Sequence, residues 1–378
     1  MHIKKEEIME IKMPRGELLK GLSIVQGIVE RKTTMPILAN VLMEAKGKTL
    51  TLTATDLEVG VTNMMAAEVI REGKLTVHAR GLYDIVKELP DEAVHMNAME
   101  NQWVEISCGK AIFKIVGLSP DEFPSLPKRG SGVEVKIEAE TIKEMIEKTS
   151  FAMSTDETRY NLNGVYIEQV KDGEKESLRM VATDGHRLSI IDREIGGKWK
   201  LTKGVIIPRK GIVELKRLVD MAEGEIELTI DEKHVIASNK QTILIIRLID
   251  GQFPPYKQVL PTQLKRAIGM DRKNILEVLR RVSVMSADRS RGVRFAFSPK
   301  NLEVSTSNPD FGEAKEELSI NYKGEKFEIG FNARYFIDVL NVLDDEEAQF
   351  QMGDDTTPCV LKSDHDRGFT HIVMPMRL

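Results

Sequence analysis

The stretch Leu178-Arg179-Met180-Val181-Ala182-Thr183-Asp184 runs as a strand and then stops at a polar corner. The same text returns as Leu50-Thr51-Leu52-Thr53-Ala54-Thr55-Asp56 and as Leu302-Glu303-Val304-Ser305-Thr306-Ser307-Asn308. The corner residues Asp56, Asp184 and Asn308 lie 128 and 124 residues apart, so the chain reads as three copies of one unit. Downstream of each corner the apolar residues take helical spacing, over 81–89, 211–218 and 334–340, with the acidic residues Asp84, Glu214 and Asp338 in one register. Upstream of each lies a second amphipathic helix, marked by Leu18 and Leu19, by Ile142, Met145 and Ile146, and by Ile275, Leu276, Val278 and Leu279.

Alternating segments such as 226–230 and 242–249 fill the rest, and many antiparallel-type strands with few helices predict an α+β class. Two proline-closed connectors repeat as well, Gly117 to Pro127 around Phe123-Pro124 and Asp250 to Pro261 around Phe253-Pro254. The third copy stops at Phe369 to Leu378 without a connector. The expected domains are 1–127, 128–261 and 262–378.

The 378 residues carry 54 Lys and Arg against 59 Asp and Glu, a net charge of −5, with 41% hydrophobic and 30% charged residues. That composition excludes a disordered or fibrous chain and fits two or three globular domains. No run of about 18 apolar residues occurs and the N-terminus lacks a signal-peptide core, so a cytoplasmic protein with no membrane partner is expected. Cys108 and Cys359 stand alone, which signals neither a disulfide framework nor a zinc module. With aromatics at 5%, the cores are expected to be filled by Ile, Val, Leu and the 18 Met.

The densest polar cluster is Thr183-Asp184-Gly185-His186-Arg187, which a metal-dependent phosphodiester hydrolase could pair with Ser363-Asp364-His365-Asp366. Seven histidines without a His-x-x-x-His pair, and the lack of a phosphate loop or nucleophile elbow, speak against that chemistry. The matching corners make Asp184 a turn residue whose carboxylate satisfies backbone N–H groups, and no cofactor, metal or catalytic residue is expected. His186, Arg187 and Leu188 depart from the first copy, which has Glu58-Val59-Gly60. A basic pair at an exposed corner reads as solvated surface, with a pocket rim floored by Leu188 as the alternative. The tail Met374-Pro375-Met376-Arg377-Leu378 offers the same choice between a frayed end and an adaptable apolar surface. The six helical cores together carry +7 in this acidic chain, the distribution a phosphate-facing surface requires.

These residues resemble the bacterial sliding clamp family, the β subunit of DNA polymerase III. The matching elements are Thr34-Met35-Pro36-Ile37-Leu38, Ala54-Thr55-Asp56-Leu57-Glu58, Arg159-Tyr160 with Leu162-Asn163-Gly164, Ala182 to Leu188, Pro208-Arg209-Lys210-Gly211, Phe253-Pro254 with Tyr256, Arg291-Gly292-Val293-Arg294, Gly330-Phe331-Asn332 and Val373 to Leu378. Residues 1–8 read as an extension before Met9-Glu10-Ile11-Lys12.

The resemblance implies a non-enzymatic DNA clamp fold, with three like domains of two helices on antiparallel sheets and two chains closing head to tail into a ring. It implies a processivity factor that encircles duplex DNA without reading sequence, in the nucleoid-associated cytoplasm. Its partners would be the replicative DNA polymerase III, the clamp loader, and other polymerases and repair proteins that carry clamp-binding peptides.

Residue by residue, the resemblance assigns DNA contact to Lys32, Arg80, Tyr160, Arg209 and Lys210. A partner-peptide pocket would use Leu162, Thr183, Gly185, His186, Arg187, Leu188, Pro254, Val259, Asn332, Tyr335, Met374, Pro375 and Met376, edged by Arg377 and Leu378. The dimer contact would set Phe113 and Ile115 against Val284 and Met285. Four positions depart from the relatives: Asn161 replaces a second tyrosine, Lys32 a frequent arginine, and Gln258 and Ser290 an arginine and an aromatic.

Overall fold

The computed structural model describes residues 9–29, 34–127, 132–173, 175–197, 199–261, 263–286, 291–363 and 365–377. The 1–8 extension, Lys32, Ser290, Asp364 and Leu378 lie outside the described residues. Each predicted corner closes by the same local chemistry. Thr55 Oγ1 accepts the Leu57 N–H and donates to the Val59 carbonyl, while Asp56 Oδ1 accepts the N–H groups of Glu58 and Val59 at 2.9 and 2.7 Å. Thr183 and Asp184 repeat this bond for bond, with Gly185, His186 and Arg187 as the donors and the Arg187 carbonyl as the acceptor. At the third corner Asn308 Oδ1 accepts the Asp310 N–H at 3.0 Å. A short polar side chain that bonds its own backbone two residues on is what turns a strand here.

The helices are α1 (Arg15–Val25), α2 (Ala79–Glu88), α3 (Ala139–Glu147), α4 (Arg209–Asp220), α5 (Arg272–Ser283) and α6 (Ala333–Val342), two for each repeat as the sequence predicts. Their starts are chemically marked: Asp271 caps α5 by accepting the Asn274 N–H, and Asn332 caps α6 by accepting that of Arg334. In α5 the predicted apolar residues Ile275, Leu276, Val278 and Leu279 are all buried.

The chain divides into two compact units, and the division falls inside the second repeat. One unit holds Met1–Ala139 with Val213–Leu248, the other Glu140–Ile212 with Ile249–Leu378. In the first, one antiparallel sheet of thirteen strands runs through two repeats, because Thr242–Arg247 of the second pairs with Val59–Ala66 of the first. Asn63 Nδ2 donates to Thr242 Oγ1 at 2.9 Å across that seam. In the second unit an eight-stranded sheet is joined the same way, Arg187–Glu194 pairing with Phe369–Val373, beside a separate sheet of four strands.

The repeated connectors are plugs. Phe123 packs with Ile37 and Leu38, and Phe253 packs with Leu162 and Leu188. An aliphatic filling holds for most of the molecule, but the third repeat differs. Phe295, Phe331, Phe336 and Phe350 are fully buried and touch in sequence, with ring centroids 4.9–5.5 Å apart. A low overall aromatic content therefore conceals a local concentration.

The join of the second and third repeats is also ionic. Lys148, only 5% exposed, reaches Glu144 at 2.7 Å and Asp366 at 2.9 Å, and Arg193 bridges the same two carboxylates. Burial works to raise the Asp366 pKa, but the hydrogen bonds from Arg193 and Lys148 outweigh it and hold the carboxyl below its usual range.

Leu57 occupies at φ 76° the corner position that Gly185 fills at φ 90°, and its side chain is 51% exposed. A left-handed conformation costs an L-residue about 1–2 kcal/mol, more than the chain entropy glycine adds. Leu57→Gly is expected to raise stability by about 0.5–1 kcal/mol, read as a shift of the urea midpoint.

Candidate functional site

The polar corner of the second repeat meets the end of the chain. The strand Phe369–Val373 delivers the tail, which does not fray: the Met374 N–H donates to the His186 carbonyl at 2.9 Å and the Met376 N–H to the Gly330 carbonyl at 2.8 Å. The tail is thereby fixed to the corner on one side and to the strand before α6 on the other. Met374, Pro375 and Met376 are half-buried and Arg377 is exposed.

Leu162 and Leu188 lie in one apolar cluster with Phe253, Tyr256 and Ile372, which supplies a floor. Above the floor Pro254 is half-buried and Val259 is 43% exposed. Their connector is anchored by the Tyr256 hydroxyl, which donates to Glu168 and accepts from Arg179 Nη1 at 3.1 Å. Burial raises the Tyr256 pKa, as does its bond to Glu168. Tyr335, half-buried on α6, lies against the Arg187 guanidinium at 4.6 Å, while Gly185 and His186 are exposed and Thr183 braces the turn.

One expectation needs correction. Arg187 and Leu188 are not solvated corner residues: they are 6% and 3% exposed, and only His186 of the three faces solvent. The Arg187 guanidinium is held by Asp184, Asp338 and the Phe151 carbonyl, so its charge is compensated inside the fold. Beneath it His371 is fully buried, with neither ring nitrogen bonded to any described residue and its ring 5.4 Å from Phe151.

Of the carboxylates the hydrolase alternative would use, the described Asp184 and Asp366 are already engaged. Asp184 accepts two backbone N–H groups and Arg187 Nε, and Asp366 is bound by Lys148 and Arg193. Among the described residues no group of three or more His, Cys, Asp or Glu could hold a metal ion.

Of the residues assigned to DNA, Arg80 is exposed on α2 and Tyr160 is 58% exposed on the short turn Tyr160–Leu162. Arg209 is different: its guanidinium donates to the carbonyls of Met153 and Ser154 at 3.0 and 2.8 Å and to Asn163 Oδ1 at 3.2 Å. It braces the loop before Tyr160, and burial draws its pKa down. Lys210 beside it is half-buried. Asn161 donates to the Gln252 carbonyl at 3.2 Å, tying this turn to the connector that carries Pro254.

Several of the helix cations are engaged within the fold. Lys216 pairs with Asp220, Arg217 with Glu214 and Arg281 with Glu316, while Arg272 donates to the Leu340 and Asp345 carbonyls. Lys20 and Lys273, both counted in the helix charge, are exposed and take part in no ion pair among the described residues.

The strand Ala111–Leu118 pairs with Trp103–Cys108 over 111–116, but meets Gly73–His78 only at 117 and 118. One edge of 111–116 therefore pairs with no strand among the described residues, and Phe113 on it is 37% exposed while Ile115 is half-buried. In the other unit Val284 is 78% exposed at the end of α5 and Met285 is half-buried. Sequence reasoning missed the apolar neighbours of both sets, Trp103, Ile112 and Val116 in one and Phe311, 76% exposed, in the other. Exposure of a large apolar residue on a strand or turn carries no mark in periodicity.

Three tandem α+β repeats with sheets shared between them, and a chain end docked on the second repeat's corner, define a clamp-type fold. Family profiles match in succession: DNA polymerase III beta subunit N-terminal domain at residues 9–127, central domain at 136–255 and C-terminal domain at 257–377. A beta sliding clamp of Pseudomonas putida is 35% identical over 371 residues, covering 98% of this chain and all of the relative, and that of Escherichia coli is 34% identical over the same span. The crystal structures of clamps from Caulobacter crescentus and Bartonella birtlesii, the latter bound to griselimycin, superpose with TM-scores of 0.94 and 0.95 at 35% identity, each covering 98% of this chain and 100% of the other. The chain belongs to the DNA polymerase III beta subunit family, the sliding clamps of bacterial replication, whose members are non-enzymatic processivity factors.

Burial holds the His371 pKa well below its ordinary 6.5, and the Arg187 charge adds to the effect. The folded state keeps the ring neutral while the unfolded chain takes up a proton below pH 6.5, so stability falls as pH drops through that value. The loss grows as pH falls further below 6.5, and His371→Leu is expected to remove it from the urea-measured pH profile. Arg209→Ala, which frees two buried carbonyls, is expected to lower the melting temperature, whereas exposed Arg80→Ala leaves it unchanged.

Proposed function

We propose that two copies of this chain close head to tail around duplex DNA and that the pocket between the 183–188 corner, the tail and α6 holds the polymerase through a short peptide. The observation that carries the pocket is the pair of backbone hydrogen bonds that dock the tail on His186 and Gly330. They bring residues from both ends of the second unit's sequence to one apolar floor. Burying a Leu or Phe anchor there is worth about 1.5–3 kcal/mol, so two anchors give a weak, exchangeable hold that many partners can share. The clamps of Bartonella birtlesii and Pseudomonas aeruginosa have been crystallised with griselimycin, which supplies a probe for this site.

For the ring, the unpaired strand edge with Phe113 and Ile115 is assigned to the second copy, facing Val284 and Met285. A bare apolar edge is an association site unless covered. A heterologous contact that closes gives a ring, and one that fails to close gives a filament. Arg80, Tyr160, Lys32 and Lys210 are assigned to the DNA side, with Arg209 as the brace that positions Tyr160. Contacts to phosphate carry no sequence information, so the ring slides. Tethering then raises the polymerase's effective concentration at its template. The repeats, as domains 1–127, 128–261 and 262–378, would each supply two helices to that inner surface, and the protein would work at the nucleoid in the cytoplasm.

After loading with a matched clamp loader and ATP, the protein is expected to stay on circular DNA and to be lost from linearised DNA. Equal retention on both would overturn the ring. Deleting Met374 to Leu378 is expected to abolish griselimycin binding by calorimetry while the dimer persists in analytical ultracentrifugation. An unchanged affinity would overturn the pocket.

A further inference from the structure

The corner that presents His186 and Leu188 is held by a buried cation whose partners lie on two other elements. Arg187 Nε donates to Asp184 at 3.1 Å, Nη1 to Asp338 at 2.6 Å and Nη2 to the Phe151 carbonyl at 2.5 Å. The guanidinium plane also faces the rings of Tyr335 at 4.6 Å and Phe151 at 5.5 Å. Guanidinium is a rigid planar fork, and here its donors are turned inward rather than toward a ligand.

Asp338 and Tyr335 are three residues apart on α6 and therefore share a face of that helix. One guanidinium thus grips α6 twice, by an ion pair to Asp338 and by a cation–π contact to Tyr335. Arg334 approaches the same Asp338 oxygen at 3.7 Å, too far to replace Arg187. The tail threads between the two elements so joined, bound to His186 on one and to Gly330, just before α6, on the other. The width available to an incoming side chain is set by the distance between corner and helix.

We propose that Asp338 is a positioning residue for partner-peptide recognition, fixing through its pair with Arg187 the placement of Tyr335 against the Asp184 to Leu188 corner. Asp338 itself need not touch the peptide. This rests on the pocket assigned above. A wall preset in this way spares the peptide the entropy of ordering it on binding.

The test is calorimetric titration of griselimycin into the full-length protein and four variants: Asp338→Asn, Asp338→Glu, Tyr335→Leu, and Asp338→Asn with Tyr335→Leu. Asp338→Asn is expected to weaken binding about tenfold, and Asp338→Glu, which keeps the charge, to stay within about threefold of wild type. The double variant is expected to bind no more weakly than Tyr335→Leu alone, because both changes break one linkage. Wild-type affinity in Asp338→Asn, an equal loss in Asp338→Glu, or additive losses in the double variant would overturn the inference. A general loosening of the fold predicts additivity.

If Asp338→Asn does not fold, the neutral pair Arg187→Met with Asp338→Leu replaces it in the same cycle, since it leaves neither charge of the pair stranded. Failure of the wild-type protein to bind griselimycin would instead sink the pocket reading, and this inference with it.

Discussion

Backbone N–H and C=O groups along a strand edge must find partners, and this requirement organises the molecule. Each repeat has edges it does not close by itself. Two of them are closed between repeats, Thr242–Arg247 on Val59–Ala66 and Arg187–Glu194 on Phe369–Val373. These seams explain why the compact units do not coincide with the three repeats of the sequence. The second repeat gives part of its strands to each neighbour's sheet. The same demand extends to 111–116 and to the outer strand Gly312–Ser319, which among the described residues pairs only with Asn301–Asn308. Both carry exposed apolar residues nearby, and an assembly that covers them meets the constraint in the way the internal seams do.

The seam that closes the second unit also docks its tail. Pairing of Arg187 with Val373 places the tail immediately beyond the corner, so that Met374 bonds His186 without any further device. Where a cation is buried in this region, the fold supplies its counter-charges and acceptors. Arg187 has two carboxylates and a carbonyl, and Lys148 and Arg193 share Glu144 and Asp366. Such residues shape a binding surface without being ligands on it. Arg209 belongs with them, since its three acceptors belong to the loop and turn on either side of Tyr160.

Legibility in the sequence follows the range of the interaction. The corners were readable because an Asp or Asn bonding its own backbone is a local event, and Asp56, Asp184 and Asn308 each do so. Helices were readable because their buried faces repeat at fixed spacing, as in Ile275 to Leu279. The pocket was assigned through resemblance alone; the structure groups Leu162 with Leu188 and bonds Met374 to His186. Burial of Arg187 was not readable, because its partners Asp338 and Phe151 lie 151 and 36 residues away. Nor was the neutralisation of Arg281, since Glu316 reaches it from a strand 35 residues on.

The sequence by itself determined three α+β repeats, their corners, their helix faces and their family, since each depends on contacts within a few residues or on pattern. Only the tertiary structure decided which edges are shared, which cations are spent inside the fold, and which phenylalanines of the third repeat meet in one core. Those outcomes turn on groups far apart in the chain. Desolvation and charge compensation depend on the three-dimensional neighbour, which no local spacing encodes.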